Sequence, residues 1–74
     1  MKENEIYQAF AEEAAQLERS KAYSAATNYW RKAAPKASLR GNQLWAEHRA
    51  ELTERLAIRA NANAMASQQL GEVA

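Results

Sequence analysis

The strongest regularity in the chain is a helical spacing of small and large apolar residues. Ala22, Ala26, Trp30 and Ala33 follow one another at steps of three and four, with Tyr23 alongside. Residues at those steps share a helix face, and a small residue there leaves a hollow that a large side chain of a neighbouring helix can fill. A second stripe of the same period runs through Ile6, Phe10, Ala14 and Leu17, with Asn4 suited to cap the helix ahead of it. The spacing predicts a first helix over residues 5–19 and a second over 22–37, separated by a turn at Ser20 and Lys21. Pro35 disfavours helix at Ala34 and ends or kinks the second helix there. Gly41 and Asn42 mark the next join, with Asn42 placed to cap a third helix over 43–66. At 1.5 Å per residue that helix is about 36 Å long, more than either partner. Residues 71–74 read as a flexible tail. Nowhere do apolar and polar residues alternate, and β-branched side chains are confined to Ile6, Thr27, Thr53, Ile58 and Val73. The fold class expected is all-α, a single three-helix domain over residues 1–70.

The third helix carries two apolar faces. Trp45, Leu52 and Leu56 mark one seam, with Arg49 between them, and this seam is expected to pack on the first two helices. Leu44, Ile58, Ala62 and Met65 fall on another face, read as a surface for a second copy or a partner. The expected core therefore comprises Leu17, Tyr23, Ala26, Trp30, Ala33, Trp45 and Leu52. Phe10, Ala14, Leu17, Tyr23, Ala26, Trp30 and Ala33 also sit at the spacing of large and small positions in a tetratricopeptide hairpin. One such hairpin cannot bury its faces alone, so the third helix, and in a dimer a second protomer, would supply the missing cover.

Size strengthens the case for a partner. A chain of 74 residues buries only about 60% of its unfolded surface and is marginal on its own. Eighteen of the residues are Ala, which favours helix but buries little area. No apolar run approaches the ~18 residues a membrane span needs, and the opening MKENEIYQAF lacks the apolar core of a signal peptide, so the expected location is the cytoplasm.

Catalytic chemistry finds no footing. Cys and Asp are both absent, and His48 is the only His, so neither a metal site nor a catalytic triad can be assembled, and no cofactor is expected. With Gly41 and Gly71 as the only glycines, there is no phosphate-binding loop or nucleophile elbow. The chain reads as a non-enzyme. The net charge of +1 conceals an asymmetry, about −4 over residues 1–18, +6 over 19–49 and −1 over the rest. Arg31, Lys32, Lys36 and Arg40 form a basic run without an acid among them. It reads as a solvated face, or one matched to an acidic protein surface, rather than as a direct nucleic-acid site.

Between residues 14 and 49 the ordered set Ala14, Ala15, Leu17, Glu18, Tyr23, Ala26, Trp30, Ala33, Ala37, Asn42, Trp45 and Arg49 resembles the signature of the ANR family, small bacterial regulators named as AraC negative regulators. Two positions depart from it. The family usually has Gly near Ser20, in the first turn, and often Cys where this chain has Thr53. The resemblance implies a repressor that binds AraC/XylS-type activators and blocks their dimerisation or DNA binding, with H-NS as a further partner. It also implies virulence-gene control in a Gram-negative bacterium, or carriage on a plasmid or prophage. Two alternatives stay open: a direct DNA-binding regulator using the basic run, and a phage or mobile-element adaptor without an activator partner.

Overall fold

A computed structural model describes residues 2–73, with side-chain surroundings through residue 64. It is all-helical: α1 spans Glu5–Arg19, α2 Tyr23–Ala33 and α3 Arg40–Val73, with a 3₁₀ turn at Ala34–Lys36 between α2 and α3. No strand occurs among the described residues. α2 is the middle helix. It packs along α1 on one side and α3 on the other, while α1 and α3 approach each other mainly through long side chains.

Local chemistry explains most of the boundaries. The Asn4 side chain accepts the Tyr7 N–H at 2.7 Å, the cap expected from sequence. At its far end α1 closes in a Schellman motif, in which Lys21 N donates to Glu18 O at 3.0 Å and Ala22 N to Leu17 O at 2.8 Å. That geometry needs a left-handed residue, and Lys21 occupies it with φ 64°. α2 ends at Ala33, where Pro35 converts the last turn to 3₁₀ rather than continuing the helix to residue 37.

The core is built from six alanines around two aromatic rings: Ala14, Ala26, Ala33, Ala34, Ala46 and Ala50 enclose Tyr7 and Trp30. Trp30 is 4% exposed, and its indole N–H has no hydrogen-bond partner. Ala26 and Ala33 are fully buried beside it, as their spacing predicts, and Leu17 packs against the cluster. Tyr23 is only half-buried. In α1 the expected stripe is rotated by one residue at its start. Ile6 is exposed and Tyr7 is buried in its place, because the Tyr7 hydroxyl reaches across to donate to Asn42 O at 3.2 Å.

The larger correction concerns α3. Trp45, expected in the core, is 55% exposed, and Leu52 is half-buried. The face that meets the other helices is instead Ala46, Ala50 and Thr53, all buried, continued by half-buried Ala57. These lie at steps of four, three and four, one helix face made of small residues. Its depth is marked by a polar contact. Thr53 is fully buried, and its hydroxyl lies 2.6 Å from that of Thr27 on α2. Each hydroxyl also lies close to a carbonyl of its own helix, Tyr23 O at 2.9 Å for Thr27 and Arg49 O at 2.9 Å for Thr53.

Candidate functional site

Because small residues carry the inward face of α3, its large apolar side chains are left outside. Leu44, Trp45 and Leu52 line a shallow concavity of about 570 Å³ together with Gly41, His48, Arg49 and Arg55. Leu44 is 43% exposed, and His48 and Arg55 are exposed. Large apolar groups grouped on one exposed face mark an interaction surface rather than the scattered leucines of an ordinary exterior. No acidic residue lines this concavity.

Two sets of contacts hold the face in position. Near its middle, Arg49 Nε and Nη2 both donate to Glu18 Oε1 of α1, at 3.1 and 2.7 Å, while the same guanidinium sits 5.4 Å from the centre of the Trp45 ring. The ion pair is mostly withdrawn from solvent, the Glu18 side chain being 14% exposed. Arg49 thus anchors α3 to α1 and steadies the exposed indole.

At the start of α3, Glu3 acts as a cap supplied from a distant part of the chain. Its carboxylate accepts Ser38 N at 2.6 Å, Leu39 N at 3.1 Å and Asn42 Nδ2 at 3.0 Å. These groups lie at the positive end of the helix, where an anion is favoured. Partial burial pushes this carboxyl upward, but the hydrogen bonds from Ser38, Asn42, Asn4 and Leu39 outweigh it and lower its pKa from 4.5 to about 2. The Tyr7 phenol is raised, by burial first and by the charge of Glu3 second. Asn4 completes the clasp by donating to Lys36 O at 2.6 Å and Ser38 Oγ at 2.8 Å. The N–H groups that Glu3 accepts belong to the two residues just ahead of α3, which begins at Arg40, three residues earlier than expected, so that Asn42 lies inside the helix and meets Glu3 through its side chain. Nothing in the local sequence signals this role of Glu3, since apart from neighbouring Asn4 its partners lie 35 to 39 residues away.

The basic run does not form an uncompensated patch. Arg31 is bonded to Glu54 of α3 at 2.8 Å, and Lys32 lies over the Tyr29 ring at 5.0 Å. Of the four, Lys36 and Arg40 remain as exposed cations with neither kind of partner among the described residues. The second expected face of α3 is divided as well. Ile58, 64% exposed, borders a different hollow, between α2 and α3, with Ser24, Thr27 and Asn61, whereas Leu44 belongs with Trp45 and Leu52. Ala62 is exposed, and Met65 lies outside the described side chains.

Among the described residues no cluster of His or Glu could hold a metal ion, and no helix is long and apolar enough to cross a membrane. In comparisons with known proteins, no family model matches the chain, and no curated protein or solved structure matches it.

Proposed function

We propose that this chain is a negative regulator of transcription that acts by binding protein, capturing an AraC/XylS-type activator and blocking its dimerisation or DNA binding. One observation above all supports the reading: the residues that carry the ANR resemblance are largely those the fold uses as joints. Ala14, Ala26 and Ala33 have no exposed surface, Glu18 grips Arg49, and Asn42 meets both Glu3 and Tyr7. A pattern made of internal contacts is what a shared helical frame, tetratricopeptide-like in its first two helices, would require. Trp45 belongs to the same pattern yet stands exposed, where an aromatic side chain serves best as an anchor for a partner. Direct promoter binding is the weaker reading, because Arg31 and Lys32 are already engaged within the chain.

The test is a reporter driven by an AraC-type activator, paired with a gel shift on its promoter. Repression should depend on the activator, and the protein alone should leave the promoter DNA unshifted. Repression that persists without any AraC-type activator, or tight promoter binding by the protein alone, would overturn the capture mechanism. The same reporter in a strain lacking H-NS tests whether that partner contributes. Self-association through Ile58, Ala62 and Met65 is a separate proposal. It requires a dimer at micromolar concentration that Ile58→Glu converts to a helical monomer, and sedimentation of the wild type as a monomer at high concentration would remove it.

A further inference from the structure

We infer that the outward face of α3 from Gly41 to Arg55 is the docking surface, and that its occupant is an amphipathic helix of a partner protein carrying carboxylates beside its apolar stripe. The inference rests on the reading that the chain works by binding protein, but not on which protein it binds.

Shape argues for a helix. Gly41, Leu44, His48, Leu52 and Arg55 recur at steps of three and four along about 21 Å of α3, with Trp45 beside Leu44, and a ridge of that period accepts the side chains of a second helix laid across it.

Charge selects the kind of helix. Arg55, Arg49 and His48 line the concavity with no acid among the lining residues. The two ion pairs among the described residues take Glu54 to Arg31 and Glu18 to Arg49, leaving Arg55 without a carboxylate. A partner carrying Glu or Asp at its flanks would satisfy Arg55 as its apolar stripe covers Leu44, Trp45 and Leu52. A second copy meeting the same face about a two-fold axis would set cation against cation.

Gly41 supplies an independent sign. It lies within α3 with no positive φ to require glycine, and a Cβ built on it would meet nothing within 4 Å. The fold therefore gives no internal reason for a residue that weakens a helix. A bare backbone at the end of the concavity allows a partner helix to approach closely.

The experiment titrates the full chain with two synthetic helical peptides, identical in their leucine stripe and bearing Glu or Lys at the flanking positions. Trp45 fluorescence reports binding, and a Trp45→Phe control isolates its signal from that of Trp30. The Glu peptide should bind at least about ten-fold more tightly than its Lys twin, and Arg55→Glu should reverse the preference. Gly41→Ala should hold or raise the melting temperature while weakening the Glu peptide, a pairing that a merely structural glycine would not produce. Equal binding of the two peptides would overturn the proposal. So would tighter binding of a fifteen-nucleotide oligo(dT), which would assign the face to nucleic acid, or a dimer in sedimentation that Leu44→Glu converts to a monomer, which would assign the face to a second copy. A bacterial pull-down separates this inference from the function above. Activator captured undiminished by Arg55→Glu would sink the docking surface alone, and selective Glu-peptide binding with no activator captured would sink the activator reading alone.

Discussion

Lys21 offers the sharpest test of the backbone geometry. It holds the left-handed position of the turn after α1, at φ 64°, where an L-residue with a Cβ costs about 1–2 kcal/mol. Glycine removes that cost but loses roughly 0.5–1 kcal/mol through its greater freedom in the unfolded chain. The net gain from the missing Cβ is then ~0.5–1 kcal/mol. Lys21 also places a positive charge by the α1 carboxyl end, a favourable but solvent-screened contribution, so Lys21→Gly is best compared with Lys21→Ala, which loses the same charge and keeps the Cβ. At roughly 4–8 °C per kcal/mol for a domain of this size, Lys21→Gly should melt about 2–8 °C above Lys21→Ala, with Lys21→Asn between them. The assay is thermal unfolding followed by Trp30 fluorescence. If Lys21→Gly melts no higher than Lys21→Ala, the turn does not require a left-handed residue and the Schellman closure of α1 is wrong. Confirmation would also explain why the ANR pattern calls for Gly near Ser20: the residue next to Ser20 is the one forced into that conformation.

Three further outcomes are expected. Trp30→Ala should destabilise the domain by about 3–5 kcal/mol, the cost of removing a large aromatic from a close-packed site, and a melt within about 0.5 kcal/mol of wild type would move Trp30 out of the core. Thr27→Val and Thr53→Val should each cost about 1 kcal/mol, yet together less than their sum, because the double variant removes both partners of one buried contact; strict additivity in chemical denaturation would show that the hydroxyls are not coupled. Glu3, with its pKa lowered from 4.5 to about 2, should stabilise the fold fully above pH 4.5 and progressively less as pH falls toward 2. The melting-temperature gap between wild type and Glu3→Gln should therefore close across that window, and a gap independent of pH would argue against the clasp.

The helix count, the Asn4 cap and the burial of Ala26, Trp30 and Ala33 were legible in the sequence because each depends on neighbours within one or two turns. At Trp45 and Leu52 of α3 the expectation fails because side-chain size is a poor mark of burial there. Against α2, which already contributes Trp30, close approach of two backbones favours small partners, and Ala46, Ala50 and Thr53 meet that need. Their four-and-three spacing was visible, and Thr53, a β-branched hydroxyl among alanines, was the available clue. Glu3 left no such clue. Its role depends on chain segments that only the finished fold brings together, among them the two residues just ahead of α3. The candidate surface is only partly legible: the spacing puts Leu44 on an outward face, but in the company of Ile58, Ala62 and Met65, and it puts Trp45 and Leu52 in the interior.

The projection of α3 past its neighbours bears on how the molecule comes apart. Residues 58–64 are all exposed, and beyond Asn61, which still borders hollows shared with Ser24, the stretch is helical without tertiary cover, its order propagated from the packed turns that precede it. A single continuous helix then belongs to two stability classes. Amides up to Asn61 should exchange with solvent only when the whole domain opens, whereas those from Ala62 onward should exchange through local fraying at far lower free energy. Far-ultraviolet dichroism, which counts every helical residue, should consequently decline on a slope before the cooperative transition, while Trp30 fluorescence stays flat until the core itself gives way.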